Sequence, residues 1–556
     1  MIASGVIRLM ALQWLSPMRD IVSPIDGIRS PFGPSRLVPA LYLPFAMTGS
    51  LDSRITFSRA SQATMYDSTG KLTFAPNNLV TYSDTPSNAA WNKSNTTVSG
   101  NVVTLTGAPG AFQLIQNGPP STPSAGNTFI WAVQLSGSGT ITLDGNGFAG
   151  TQTCTLSATP TWFFVKLTYT SGTAACRVIS YGGNTATSFT FHNSSFSRVT
   201  YETAIRTADQ VITTAAAYYG PRFDYNPATL AARGLLIEEA RTNLFLQSEA
   251  FGSSPWANYG TNTVTPDATT APDGTSRADL LTGNVGNGRT QLITGISPNT
   301  AYTLSIYTKL ASVGNQFSFS VPCFNGGSYL GNLVADASPL ITSGEDVGGG
   351  WYRNTFTGTT PATTDRMEPR FVAANTGDNY YLWGAQIEAG SDATSYIPTA
   401  AASVARAADA PSMTGTNFSS WYNQSEGAFV VNFTPRVSSG SRRVLGYDVT
   451  AASTPMFIAS STSVQVFDGS NVRASASGLV IGSANKAAMA YTDGVSHSIV
   501  VNAGTVGTSA TDYNTGTPTA FLIGYIGSSN YLNGWIMSIN YYNTRLPNAT
   551  IQSLTA

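Results

Sequence analysis

The sequence predicts an all-β chain made of several modules, and three observations carry that prediction. Only 10% of the residues are charged, against roughly 25% in an average globular protein, and Gly, Thr, Ser and Asn fill the difference. Apolar residues at 42% and aromatics at 11% are enough for packed cores and argue against disorder. Short runs alternate apolar and polar residues between turn signals, the pattern of half-buried strands. At 556 residues, a prior of about 150 residues per domain predicts three or four domains.

The same composition excludes several function classes. A net charge of −1 with no basic run gives nucleic acid nothing to bind. No apolar run approaches the roughly 20 residues that span a bilayer. The first twenty residues, broken by Arg8, lack a clean cleavage site and read as no signal peptide. Three cysteines with no CxxC spacing offer no metal site. Cys154 and Cys176 read as buried thiols, with a cross-strand pair as the alternative.

Residues 1–50 differ from the rest, with RSPFGPSR at 29–36 and LVPALYLPFAM at 37–47. Proline at such intervals allows neither a long helix nor a central strand. Apolar residues in such a segment need a surface to cover them, either a partner or the body of the same chain. From Leu51 to Tyr82, Ile55, Phe57, Met65, Leu72 and Phe74 predict short strands, and Asp67-Ser68-Thr69-Gly70 predicts a hairpin turn. PRFDYNPATLAARGLLIEEARTN (221–243) reads as two strands around the Asn226-Pro227 turn.

An internal repeat sets the domain count. Thirteen residues separate Asn78 from Trp91, and thirteen separate Asn243 from Trp256. NTFIWAVQL (127–135) answers NTAYTLSIY (299–307), and TWFFVKLTY (161–169) answers GWYRNTFTG (350–358). The repeat defines modules at 78–205 and 243–411. A third occupies 412–556, and segments 51–77 and 206–242 are expected to pack together as a connecting β-unit. In the third module Phe429, Val431 and Phe433 alternate with Ala428, Val430 and Asn432, and Pro547-Asn548 suits a helix start.

These motifs carry a resemblance. "ITFSRAS.AT..DS.G" (55–70) and "PRFDYNP…GLLIEEARTN" (221–243) resemble a linker in head-fibre and tail-fibre proteins of tailed bacteriophages that carry a head spike fibre domain. There the two halves adjoin; here 150 residues lie between them, most of which the first repeat accounts for. "WGAQIE.G..ATSYIPT" (383–399) is similar to the closing signature of CenC-like carbohydrate-binding jelly rolls. "LNG.I..I.YYN..L" (532–546) is similar to the end of laminin-G-like, concanavalin-like sandwiches. The fold implied is a multidomain array of jelly rolls and β-sandwiches behind an extended N-terminal anchor.

The function implied is that of a virion structural protein, a head or tail fibre or spike made in the host cytoplasm. Residues 1–50, with Arg29, Phe32, Arg36, Tyr42 and Phe45, would hold it to capsid, portal, collar or tail proteins. The sandwiches would meet host-surface polysaccharide, and the resemblance implies a homo-oligomer, trimers being common among such fibres. A capsid decoration protein that binds no glycan, or a depolymerase tailspike, are the alternatives.

Catalysis finds little support in the residues. There is no GxSxG, only two histidines, and no phosphate-binding loop. Adjacent Glu238 and Glu239 point to opposite faces of a strand and cannot converge as a glycosidase pair; ion pairs with Arg233 or Arg241 are expected instead. No cofactor is implied; calcium at loop positions Asp144, Asp378 and Asp392 is the one metal alternative. Aromatic faces are the candidates for glycan binding: Trp256, Tyr259, Trp421, Tyr422, Tyr531 and Trp535. Trp421 and Tyr422, flanked by Ser and Asn, read as exposed, whereas Trp91, Trp162, Trp256, Trp351 and Trp383 sit at repeat landmarks or in strand runs and read as core.

Overall fold

A computed structural model describes residues 37–556 except 107–112, 118–122, 201–204, 312–316, 335–342, 437–439, 441, 449–455, 468–470, 511–516 and 528–529. The chain divides into Met1–Val38 and Pro39–Ala556. All secondary structure among the described residues lies in the second unit. It is all-β, built of antiparallel sheets in jelly-roll and sandwich modules.

The C-terminal sandwich draws on far more of the chain than its last 145 residues. One sheet runs Phe223–Tyr225, Ala232–Ile237, Gly534–Tyr542, Glu426–Pro435, Asn485–Thr492, Ser496–Val501 and Gly507–Ser509, and Leu41–Leu43 shares the Gly534–Tyr542 strand. The facing sheet runs Thr56–Ser58, Ala410–Thr414, Ala520–Ile523, Arg442–Tyr447, Met456–Ala459, Ser463–Phe467 and Val472–Ser477. Phe429, Val431 and Phe433 point between the sheets with Leu235, Ile237 and Phe521. On the other face, Ala428 and Val430 are covered by the terminal helix Asn548–Leu554 through Ile551. A period of two thus buries both faces of a central strand.

Two expectations are corrected here. Segments 51–77 and 206–242 do meet, Asn77–Asn78 pairing with Tyr218–Tyr219 and the Tyr66 amide donating to Asp224, but they join the sandwich and do not form a unit of their own: Thr56–Ser58 pairs with Ala410–Thr414, and Ala232–Ile237 pairs with the terminal strand. Strands this short cannot stand alone, so they complete the edges of a sheet already there. The N-terminal segment also ends earlier than residue 50. Leu41–Leu43 is a strand of the sandwich, Phe45 is 1% exposed in its core, and Tyr42 faces outward. Arg29, Phe32 and Arg36 lie outside the described residues.

The two repeats have equivalent architecture. In the first, Thr128–Gly137 pairs with Thr161–Tyr169 on one side and Ser188–Val199 on the other; in the second, Ala301–Leu310 pairs with Trp351–Thr359 and Asn379–Ala389. Their landmark residues make the same bonds. Asn78 Nδ2 donates to the carbonyls of Ser194 and Val211, while its Oδ1 accepts from the Val80 and Phe196 amides. Asn243 repeats this with Ala385, Ile397, Phe245 and Ile387. Gln116 and Gln291 each bond both backbone groups of one residue, Thr81 and Leu246. The indoles of Trp91 and Trp256 donate to Tyr82 and Gln247.

Thr213 donates its amide to Ser83 Oγ and its hydroxyl to the Val80 carbonyl, as Thr399 does to Ser248 Oγ and the Phe245 carbonyl, so the first module runs past residue 205. Each module closes on a two-stranded neck: Asn77–Asn78 pairs with Tyr218–Tyr219, and Arg241–Asn243 with Val404–Arg406. Cys154, Cys176 and Cys323 are buried free thiols.

Candidate functional site

The stretch 221–243 sits at the junction of the three modules, and its charged residues fasten them. Arg222, fully buried, donates Nη1 to Glu238 Oε2 at 2.6 Å and to Ser395 Oγ at 2.6 Å, and Nη2 to Asp409. Arg59 Nη1 reaches the other oxygen of Asp409 at 2.8 Å, and its Nη2 donates to the Gly220 carbonyl at 2.7 Å. Arg406 lies 3.4 Å from Glu238 and donates to the Glu239 carbonyl at 2.6 Å. Arg436 closes from the third module at 3.5 Å. The Ser395 amide and hydroxyl complete the Glu238 shell at 2.8 and 2.7 Å. Burial alone would raise the Glu238 carboxyl, but Arg222, then Arg406 and Arg436, hold it far below the usual carboxylate range.

Glu238 and Glu239 do diverge. Arg222, Arg406 and Arg436 take the place of the expected partners of Glu238. Glu239 faces Arg241 at 2.6 Å and accepts from Asn533 Nδ2 at 2.6 Å. Arg241 reaches on toward Glu388 and Asp392. A Cβ at Gly390 would stand 2.2 Å from Arg241 Nη2, with φ at +132°, so the "E.G" of the closing signature leaves room for this arginine. Arg233 pairs instead with Glu345 at 2.7 Å.

Most aromatic candidates are placed in cores. Trp256 is 4% exposed and stacks on Phe245. Trp421 is 6% exposed, against its expected exposure. The one-turn helix Thr416–Ser419 turns Phe418 inward, and Trp421 follows it. Tyr422 is half-buried on the same core, stacked on Phe418. Tyr531 is buried. Trp535 is flanked by the guanidiniums of Arg233 and Arg436 at 4.5 and 5.2 Å from its ring, and its indole donates to Asp224 at 2.8 Å. Of these candidates Tyr259 keeps an open face on the second module, 39% exposed beside Arg370.

The acidic candidates are engaged locally. Asp144 lies in a strand, not a loop, paired with Arg177 at 2.7 Å. Asp378 accepts from the Asn375 amide, and Asp392 faces Arg241. Among the described residues no three His, Cys, Asp or Glu side chains come together as metal donors.

The structure contributes a site the sequence did not: a cleft of about 1420 Å³ between the two repeats, floored by the connecting segment near Ser61–Ala63. Its walls carry Asn127 and Arg198 of the first module and Gln247, Glu249, Arg277 and Tyr396 of the second. A recess of about 60 Å³ shares Arg198, Glu249, Arg277 and Tyr396 with it and adds Asp273. Arg277 spans the gap, donating Nη2 to the Gly126 carbonyl at 2.6 Å. Arg198 donates to Gln62 Oε1 at 3.2 Å and Asn127 Oδ1 at 3.1 Å and lies 4.4 Å above the Phe74 ring.

The Tyr396 hydroxyl donates to Glu249 at 3.1 Å. Loss of hydration, then the charge of Asp273, pushes the Glu249 carboxyl up to about 7. Burial pushes Asp279 up to about 6. No sequence pattern announces this cleft, because its residues come from separate segments, and only the repeat hints that two modules would face each other.

No protein-family model and no curated protein matches the chain significantly. Among solved structures, the CBM22-1 xylan-binding domain of Paenibacillus barcinonensis Xyn10C is similar at 17% identity and TM-score 0.21, over 28% of this chain and 94% of that one. The CBM22-1–CBM22-2 tandem of the same protein is similar at 11% identity and TM-score 0.22, over 57% and 98%. The enzymatically active domain of bacteriophage CBA120 tailspike protein 4 is similar at 18% identity and TM-score 0.22, over 27% of this chain and 21% of that one. Scores this low leave the ligand of the present chain to be argued from its own residues.

Proposed function

We propose that this protein is a bacteriophage virion component, a head or tail fibre or spike, that presents its sandwich modules to host-surface glycan. The observation that carries the reading is the use made of the linker motif. Arg222, Asp224, Glu238 and Asn243 are all buried: Arg222 and Glu238 hold the second module through Ser395, Asp224 ties the linker to the terminal strand through Trp535, and Asn243 lies in the neck of the second module. A displayed attachment protein needs its domains held in fixed relation outside the cell, and the motif that does this here is the one resembling phage fibre linkers. The work proposed is binding rather than catalysis, with modest contacts multiplied by display in many copies.

Immunogold electron microscopy of purified particles, with an antibody raised against residues 39–556, tests the assignment. Label on the capsid makes the protein a head fibre or decoration, and label at the tail makes it an adsorption fibre. No label on any particle refutes the virion reading. Unimpaired adsorption by particles lacking the protein would favour a decoration role. The carboxylates of the cleft give a depolymerase reading its foothold, and release of reducing sugar from host polysaccharide would favour that one.

A further inference from the structure

We propose that the cleft between the two repeats binds an uncharged oligosaccharide that touches both modules at once. The inference rests on the glycan-attachment reading and gives that reading a site. Neither repeat forms the cleft alone. The first contributes Asn127 and Arg198, the second Gln247, Ser253 and Arg277, and the connecting segment Gln62.

Three features select the ligand. The first is size: about 1420 Å³ exceeds the roughly 300–1,000 Å³ of a typical small-molecule pocket, so an extended chain fits where a single sugar would rattle. The second is the supply of hydrogen-bonding groups. The side chains of Tyr219, Gln247 and Ser253 line the cleft without a side-chain partner among the described residues. Amide, hydroxyl and guanidinium groups together both donate and accept, as sugar hydroxyls require. The third is charge. Arg198 and Arg277 stand against Glu249, Asp267 and Asp279, so the field of the cleft favours neither a polyanion nor a polycation.

The cleft is also held open before any ligand arrives. Arg277 ties the modules through Gly126, where φ is +83° and a Cβ would come within 2.4 Å of the guanidinium. The buried ion network fixes them from behind. A preformed cleft spares the ordering cost that otherwise weakens binding.

The test uses the full chain on a printed array of neutral and anionic bacterial-surface oligosaccharides, followed by calorimetry with the strongest array hit. Ser253→Trp fills the cleft from an exposed turn, and Arg277→Ala removes the bridging guanidinium. Tyr259→Ala removes an exposed aromatic outside it. Neutral oligosaccharides are expected to bind, with affinity falling at least about tenfold in Ser253→Trp and Arg277→Ala and unchanged in Tyr259→Ala. Binding lost in Tyr259→Ala but kept in Ser253→Trp overturns the site, and binding to anionic spots alone overturns the ligand class. Cleavage of the bound oligosaccharide overturns the binding role. Should the wild-type chain bind nothing on the array, the glycan-attachment reading itself falls.

Discussion

Glu238→Gln should be among the most damaging isosteric changes available in this chain, whereas Glu239→Gln, one residue on, should be mild. Glu238 is 1% exposed and answers three guanidiniums, Arg222 at 2.6 Å, Arg406 at 3.4 Å and Arg436 at 3.5 Å. Glutamine keeps the shape and an acceptor for the Ser395 amide, but it leaves Arg222 paired with Asp409 and takes from Arg406 its ion-pair partner. Removing one partner of a buried ion pair costs roughly 3–5 kcal/mol. Glu239 is partly solvated, its main pair is with Arg241, and Gln can still accept from Asn533. Its loss should cost about 1 kcal/mol or less.

Guanidinium unfolding followed by tryptophan fluorescence measures the difference, and limited proteolysis at the two necks shows whether modules come loose. Because a chain of several modules need not unfold in one step, the comparison between neighbouring variants is the readout. Acid adds a second signature. The folded-state carboxyl of Glu238 is depressed, so its stabilisation is present above the unfolded pKa of about 4.3 and is lost as pH falls below it. Glu238→Gln should flatten that acid limb. Two variants within about 1 kcal/mol of each other would refute the reasoning.

The cleft carboxylates should behave in the opposite sense. Glu249 is raised to about 7 and Asp279 to about 6. Their contribution is therefore fully present below pH about 4 and is lost as pH rises through those values. Thermal melts between pH 5 and 8 should fall for the wild type and flatten in Glu249→Gln, by about 1–2 kcal/mol after allowing for its partial exposure. Asn78→Ala and Asn243→Ala should each remove four hydrogen bonds to the backbone, at about 1–3 kcal/mol for each group that water cannot reach. The two costs should match within about 1 kcal/mol in chemical denaturation. The thiols of Cys154, Cys176 and Cys323 are buried and raised, Cys154 to about 12. A thiol reagent at pH 8 should leave the native chain unlabelled and titrate three thiols only in denaturant.

The repeat was legible because its landmarks are bound by geometry. An asparagine that satisfies two carbonyls and two amides has no substitute, so Asn78 and Asn243 stand out at matched spacing from Trp91 and Trp256. The alternation around Phe429 was legible for a similar reason, since a strand has only two faces. Trp421 was misread because Ser and Asn beside a tryptophan say nothing about which way a one-turn helix presents it. The connecting strands were misplaced because pairing partners lie far off in sequence: Asp224 and Trp535 bond across 311 residues. No local pattern encodes that distance, and the cleft, assembled from three segments, inherits the same difficulty.

The ion network follows from the topology. Both repeats are insertions into one sandwich, and the chain crosses their junction four times. Arg59 stands at the approach to the first repeat and Arg222 at its exit. Glu238 stands at the entry to the second, and Arg406 with Asp409 at its exit. Each crossing thus contributes a charged side chain to one buried cluster. Necks bring the ends of an insertion together, as an inserted domain requires, but apolar packing is non-directional and would not by itself fix how one module faces the next. A guanidinium meets a carboxylate in a defined plane and direction. Four crossings locked to two carboxylates leave each insertion a single seating, and the cleft between the repeats takes its width from that seating.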